Sequence, residues 1–259
     1  MAVYLISDSH FGAPWSQNEP HGLRLFSDFI NSIKSDAEYL YIIGDLFDFW
    51  FEYHDGFPNR YPDITGKLKE LSSSGTKVIL IGGNHDWWAG RTFIQLTDAV
   101  VEKGDLKITH HGKKIFIGHG DGIAKADWGY RLMRKILRNR LNIWLFSKLS
   151  YSLGLKLAKL VSSGSRAVGE NRQWKFLEDY EEYAQKLINR GFHAVFIGHT
   201  HIPQYKKLEN GIYINTGDWI NNYTYAVLNE DSIRLMTFAN GIQEDFDPSK
   251  LSPPEKFNK

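Results

Sequence analysis

The sequence predicts an α/β layered domain with mixed sheets, and three observations carry that reading. Short β-branched and aromatic runs recur, beginning with "VYLISD" (3–8), "YLYIIGD" (39–45) and "KVILIGG" (77–83). These runs are continuously apolar, as expected of strands covered on both faces. Amphipathic helical patterns lie between them and hairpin patterns follow later, so parallel and antiparallel pairing should coexist.

The elements follow in order. Leu25, Phe26, Phe29, Ile30 and Ile33 share one helical face. Ile64, Leu68 and Leu71 share another, with Gly75 as a stop. "LKITHHGKKIFIGHG" (106–120) predicts a hairpin turning at Gly112, with His110 and His111 exposed beside the turn. Leu177, Tyr180, Ala184, Leu187 and Ile188 form a third helical face, ended by Gly191. Strands follow in "HAVFIGH" (193–199) and "GIYINTG" (211–217), then a hairpin near Asp231 in "YAVLNEDSIRLMTF" (225–238). His21 and His193 flank elements and read as structural. One domain over 1–245 is expected, with a helical insertion at about 122–172. The Pro- and Lys-containing tail, 246–259, is expected to be poorly ordered.

Composition sets bounds. The chain has 259 residues and 42% hydrophobic content, enough for one large domain or two small ones. It has no cysteine, which excludes disulfides and thiolate metal sites and fits a reducing compartment. No signal peptide is read, and no stretch approaches the ~18 apolar residues of a membrane span, so a cytoplasmic location is expected. The net charge of +1 argues against a nucleic-acid partner for the chain as a whole.

That charge is unevenly placed. Between Lys125 and Arg172 eleven basic residues face only Asp127 and Glu170, a segment of +9 in a chain of +1. Such an asymmetry marks a surface that meets something anionic. From Trp128 to Leu149 the apolar residues form a helical stripe, and "LGLKLAKLV" (153–161) continues it after a break. Either a helical hairpin docks on the core with a solvated basic face, or the segment is a lid or membrane-facing insertion.

The chemistry lies at the strand ends. "LISDSH" ends in Asp8 and His10; "IIGDLFD" holds Asp45 and Asp48; "LIGGNHD" ends in Asn84, His85 and Asp86. "FIGHGD" holds His119 and Asp121, and "FIGHTH" ends in His199 and His201. Ligands in open α/β sheets bind beyond the carboxyl ends of strands, so these loops should converge. An oxygen-plus-imidazole set without sulfur suits Mn, Fe, Zn or similar divalent ions, and it exceeds the needs of one ion. Two ions can share a carboxylate, clamp a phosphoryl group and activate water.

The ordered set Asp-x-His, Gly-Asp-x-x-Asp, Gly-Asn-His-Asp, Gly-His-Gly-Asp and Gly-His-Thr-His, from Asp8 to His201, resembles the calcineurin-like metallophosphoesterase superfamily. The resemblance implies a four-layer α/β-β/α sandwich of two mixed sheets. It implies a first metal on Asp8, His10 and His201, a second on Asn84, His119 and His199, and Asp45 bridging both. Activated water would attack phosphorus in line. His85 would contact the phosphate or assist the leaving group, oriented by Asp86. Two divalent ions, with Mn2+ first, are the implied cofactors.

"GDLFDFW" (44–50), "HGDGIAKADWGYRLMR" (119–134), the basic helical insertion and "NTGDW" (215–219) further resemble the bacterial UDP-2,3-diacylglucosamine pyrophosphatases of lipid A synthesis. That likeness implies a UDP-linked glycolipid substrate, a lid over its acyl chains and peripheral association with the anionic inner-membrane surface. Asn84, His85, Asp127, Arg172 and His199 would touch substrate. One departure is His85, where the best-known lipid A enzymes carry Arg. His54, Asp55, Trp15, Trp50, Trp87 and Trp88 lie near the motif loops and are candidates for either pocket or core. Two rival readings stand: a phosphoesterase for a soluble nucleotide or phosphoprotein, and a non-catalytic module held to anionic lipid or nucleic acid. Amphipathic lid helices are wasted on a soluble substrate, and a scaffold does not require this ligand set. No obligate protein partner is evident.

Overall fold

The structure is a computed structural model that describes residues 1–14, 19–53, 61–166, 170–239 and 241–251, with the side chains of 159–173 and 250 outside the description. Two sheets face each other. The larger runs in the order β12 (Ile242–Asp245), β11 (Ile233–Ala239), β10 (Thr224–Leu228), β1 (Ala2–Ile6), β2 (Ala37–Ile43), β3 (Lys77–Ile81), β4 (Val100–Glu102). The smaller runs β5 (Leu106–His110), β6 (Lys113–Gly118), β7 (Ala194–Ile197), β9 (Gly211–Asn215), β8 (Gln204–Leu208). Strands β1 to β4 are mutually parallel, as are β6, β7 and β9, while the remaining pairs are antiparallel.

Side-chain alternation along β1 separates the layers. Val3 and Leu5 pack between the sheets with Tyr41, Ile43, Ile79, Ile81, Ile115, Ile117 and Phe196. Ala2, Tyr4 and Ile6 face the opposite way, onto the apolar faces of α1 (Glu19–Ile33) and α2 (Pro62–Ser73), where Phe26, Phe29, Ile30, Leu68 and Leu71 are buried. The outer face of the smaller sheet is covered by α7 (Glu170–Ile188), through Tyr180, Ala184, Leu187 and Ile188. The result is the four-layer α/β-β/α sandwich. Each fully buried Leu, Ile or Phe contributes about 1.5–3 kcal/mol over its exposed state, so the three apolar layers hold the sheets in place.

Several short elements have no clear sequence signal: β4, β8, β12 and α3 (Arg91–Thr97). The hairpin at Gly112 forms as predicted, with positive φ at His111 (47°) and Gly112 (71°), as a two-residue primed turn needs. His110 is not free at that turn. Its Nε2 lies 2.8 Å from the Tyr41 hydroxyl across the sheet gap, and its ring meets Tyr39 edge-on. The predicted tail begins in order: Phe246 donates its N–H to the Leu235 carbonyl at 3.0 Å and packs against the inter-sheet core. Residues 252–259 of the tail lie outside the described residues.

The insertion forms three helices, α4 (Trp128–Leu137), α5 (Arg140–Ser147) and α6 (Tyr151–Arg166). The continuous stripe predicted from Trp128 to Leu149 is interrupted at Arg138–Asn139. The Asn139 side chain accepts the Leu141 N–H at 2.9 Å and so starts a new helix. Among the described residues no helix is long and apolar enough to cross a membrane.

Candidate metal centre

Loops leaving the carboxyl ends of β1, β2, β3, β6 and β7 meet at one end of the sandwich. Ligand atoms of Asp8, His10 and His201 lie within 4.8 Å of one another, and so do those of Asp45, His119 and His199. Asp45 Oδ2 stands between the two groups, 3.6 Å from His10 Nε2 and 3.4 Å from His119 Nε2. Asn84 Oδ1 is 3.0 Å from His119 Nε2. All seven residues that the family resemblance implies as ligands are therefore brought together.

Asp8, Asp45 and His119 each give one atom to the scaffold and keep another for the site. Asp8 Oδ2 accepts the His199 N–H at 2.8 Å, and Asp45 Oδ1 accepts the His85 N–H at 2.9 Å. His119 Nδ1 bonds the Ile43 carbonyl at 2.8 Å, which requires the proton on Nδ1 and leaves the Nε2 lone pair for a ligand bond. Asp8 Oδ1 is buried and has no hydrogen-bond partner. Around it stand His201 Nε2 at 3.4 Å and His10 Nε2 at 3.9 Å, with those two nitrogens 3.3 Å apart. These separations are long for hydrogen bonds. They match donor atoms on one ion with bonds of about 2.0–2.2 Å, where neighbouring ligands stand roughly 3–4 Å apart. The residues present fit a divalent ion.

The backbone is bent to achieve this. Asp8, His10, Asp45, His199 and His201 all have positive φ, between 45° and 69°. Left-handed backbone costs about 1–2 kcal/mol per non-glycine residue, and such strain persists where the surroundings over-determine it. The glycines before the ligands play two roles. Gly44 has φ of 78°, a turn that favours glycine. Gly83 makes room: a Cβ there would lie 2.1 Å from Asp45 Oδ1.

His85 is half-buried beside these groups, and its orientation differs from expectation. Its Nδ1 bonds the Asp48 carbonyl oxygen at 2.7 Å and lies 3.8 Å from Asp48 Oδ1. The fully buried Asp86 does not take that role. Its oxygens accept the N–H groups of Gly83 (2.8 Å), Leu46 (2.8 Å) and Asp45 (3.2 Å), which ties the β2 and β3 loops together. Asp48 orients His85; Asp86 shapes the backbone under both.

Charge is concentrated at the centre. Without an ion, burial opposes the charged form of His119, but Asp45 outweighs it and raises its pKa to about 10; an ion bound at Nε2 would take the place of that proton. Burial and then the charge of His119 push His199 down to about 3, which keeps its imidazole neutral, the form that ligates metal. Burial also lowers His10. Burial opposes the charge of Asp45 as well, yet His119 and His85 hold it well below the usual carboxylate range.

A cavity of about 340 Å³ opens from this centre. Asp48, Asn84 and His85 line one end. Phe49, Phe51, Trp87 and Trp88 form a wall, and Met133, Leu137, Ile143, Phe146 and Leu155 of α4, α5 and α6 close the other side. Trp50 instead lies in the core, against Phe47 and Phe93. The inner aromatic wall continues to Tyr53, which packs on Phe146 and Tyr151, and a Cβ at Gly154 would strike its hydroxyl. The opposite face of the insertion remains exposed, with Trp128 at 72% and Leu141 at 61%.

The basic residues divide as well, which corrects the uniformly solvated basic face. Arg134 and Arg138 turn inward to Asp121, while Arg131 donates to the Ala124 carbonyl at 2.6 Å and the Lys125 carbonyl at 3.0 Å. Lys135, Arg140, Lys148 and Lys156 are exposed. Asp127 precedes α4 and is not among the residues lining the cavity. Arg172, with Ser165 and Asn171, has its side chain outside the description, and Trp15, His54 and Asp55 lie outside the described residues.

Residues 1–203 match the family described as calcineurin-like phosphoesterase. The chain belongs to that family. It is a metal-dependent phosphoric ester hydrolase whose His and Asp clusters can bind metal ions. A UDP-2,3-diacylglucosamine hydrolase of Pseudomonas fluorescens is 30% identical over 257 residues, covering 97% of this chain and 98% of that protein. One from Ectopseudomonas mendocina is 31% identical over 222 residues, covering 84% and 90%. Among solved structures, the E. coli phosphoesterase YfcE aligns with 94% of this chain and 96% of its own at 15% identity and a TM-score of 0.47.

Three supports of the phosphoesterase site escape motif reading. Asn215 donates its side-chain N–H to the Gly198 carbonyl at 2.9 Å, under the His199 loop. Asp218 Oδ1 accepts the N–H groups of Ile220, Asn221 and Asn222, and Asn222 Nδ2 donates to the His201 carbonyl at 3.2 Å. "NTGDW" holds two of these supports as ordinary turn formers: Asp218 caps its own loop, while the partner of Asn215 lies in another loop.

Proposed function

We propose that this phosphoesterase hydrolyses the pyrophosphate bond of UDP-2,3-diacylglucosamine, giving 2,3-diacylglucosamine 1-phosphate and UMP for lipid A synthesis. The observation that carries the reading is the cavity. It joins His85 and Asn84 directly to an apolar chamber roofed by α4, α5 and α6. A hydrophilic phosphoryl group and a long apolar chain can thus be bound at once. The names of the relatives support the same substrate.

In this reading Asp8, His10 and His201 hold one divalent ion, Asn84, His119 and His199 hold a second, and Asp45 is shared. Mn2+ is the ion of first choice for this oxygen-and-imidazole set. Two such ions supply Lewis-acid polarisation of the phosphoryl oxygens and an activated water. The chain's own residues do the rest. His85, held through Nδ1, presents Nε2 to the phosphoryl group or the departing oxygen. Asn84 borders the same space, and in the same reading His199, Asp127 and Arg172 add substrate contacts from their own loops.

Residues 1–245 act as one domain with 122–172 as its lid. The lid's outer face, with Trp128, Leu132, Leu141 and Trp144 exposed near Lys135, Arg140 and Lys148, lies on the anionic inner-membrane surface from the cytoplasmic side. The test is a mass-spectrometric assay of purified protein with Mn2+ and UDP-2,3-diacylglucosamine. Appearance of the lipid monophosphate and UMP is expected. Inertness toward this lipid, with rapid turnover of a soluble nucleotide, would favour the soluble-substrate reading.

A further inference from the structure

We propose that Arg138 and Arg134 form the subsite for the second phosphoryl group of a pyrophosphate substrate, the one that the metal centre does not hold. The inference rests on the pyrophosphate reading above and deepens it.

Asp121 is buried and accepts three side-chain donors: Arg138 Nη2 at 2.8 Å, Tyr130 Oη at 3.0 Å and Arg134 Nη1 at 3.3 Å. Two guanidiniums thus share one carboxylate, which leaves one positive charge in the wall. Arg138 is also fixed from other directions. Its Nη2 lies 3.2 Å from the Gly83 carbonyl, one residue before Asn84, and its guanidinium carbon sits 3.6 Å above the Trp87 ring. Its side chain is only 18% exposed. Arg138 commits only Nη2 to hydrogen bonds and Arg134 only Nη1, so among the described residues their other N–H groups have no partner.

Both arginines line the cavity beside Asn84 and His85, where Asp48 is the only acidic residue among the described residues. A planar, immobilised guanidinium with unspent donors and surplus charge is suited to phosphoryl oxygens. A substrate with one phosphoryl group would leave this charge unmet. A pyrophosphate carries its second phosphoryl one bridging oxygen away from the first. Arg131 provides the contrast. It bonds backbone carbonyls of the same loop but does not line the cavity, so it is a tether only.

The test compares two uncleavable ligands, methylenediphosphonate and methylphosphonate. Each is measured as an inhibitor of bis(p-nitrophenyl) phosphate hydrolysis by the full-length, Mn2+-loaded protein at fixed free Mn2+. The readout is the ratio of the two inhibition constants. The wild-type protein should prefer the diphosphonate. Arg138→Gln should reduce that preference by about tenfold or more, the scale of one charged hydrogen bond, and Arg134→Gln should reduce it less. Arg138→Lys should recover part of it, and Arg131→Gln should keep the wild-type ratio. An unchanged ratio in Arg138→Gln, or equal losses in Arg138→Gln and Arg131→Gln, would overturn the subsite and leave a lid latch. Failure of the lipid assignment is separate: it shows as no cleavage of UDP-2,3-diacylglucosamine while the Arg138-dependent ratio persists.

Discussion

Gly83→Ala tests how tightly the shared carboxylate is placed. Gly83 has no positive φ, so alanine is acceptable to its backbone and the effect is steric alone. The new Cβ would stand 2.1 Å from Asp45 Oδ1 and 2.6 Å from Asp45 N. Ordinary contact lies beyond 3 Å, so Asp45 must yield by on the order of 1 Å, and a displacement of that size at a catalytic centre costs about 10²-fold. Three neighbours of Asp45 resist the movement. Its Oδ1 holds the His85 N–H, and its Oδ2 faces His10 and His119. Overpacking of this kind should also lower stability by about 1–3 kcal/mol. The assay is kcat on bis(p-nitrophenyl) phosphate at saturating Mn2+, with bound metal counted by mass spectrometry and folding followed by circular dichroism. A folded variant is expected to lose about 10²-fold in kcat or one equivalent of metal. Wild-type kcat with full metal content would refute the placement of Asp45 between the two sites.

Other outcomes follow from the same geometry. Activity should require added divalent metal, peak with Mn2+, and vanish in Asp45→Ala; full turnover by metal-free protein would sink the dinuclear reading. His85→Ala should keep its metal content but lose roughly 10²–10⁴ in kcat, whereas loss of bound metal would make His85 a ligand. Polar substitution of Leu137 or Phe146, inside the cavity, should weaken the diacylated substrate far more than a small phosphodiester. Substitution of Leu141 or Trp144, outside it, should weaken liposome binding instead. Metal-free protein should be most stable near pH 6.5, the ordinary imidazole value. His119, raised to about 10, stabilises the fold fully below 6.5 and loses that contribution as pH climbs toward 10. His199, lowered to about 3, stabilises it above 6.5 and loses that contribution as pH falls toward 3. Thermal melts across pH would show a monotonic profile if this pairing were wrong.

The ligands were legible because their signal is local. An apolar run, a glycine and a ligand side chain sit within a few residues, and parallel strands carry all such ends to the same edge. Long-range supports carry no such signal. Asp86 was expected to orient His85, its neighbour in sequence, yet its oxygens reach back to Leu46 and Asp45 in another loop. His110 was expected to be exposed because it adjoins a turn, and Tyr41 claims it across the two sheets. The helical wheel of α4 separated apolar from basic residues correctly. It could not say that the basic side would face Asp121, because that depends on how the helix docks.

In the function proposed above, the insertion reconciles two demands that composition alone sets against each other. A lid that binds apolar chains must expose apolar surface to them, and one that lies on an anionic surface must keep basic residues outward. α4 meets both by giving its residues three destinations. Leu137 and Met133 enter the cavity, while Trp128 and Leu132 stay outside with Lys135. Arg134 and Arg138 go to neither solvent nor membrane, because Asp121 lies two residues beyond His119 and draws them to the metal end of the cavity. The lid is thereby anchored to the loop that carries a metal-ligand histidine. Arg138 bonds the Gly83 carbonyl as well, so it also spans the loop that carries Asn84. Displacement of α4 would strain two of the five ligand loops at once. The insertion and the loops that carry His119 and Asn84 are therefore tied together through Arg138.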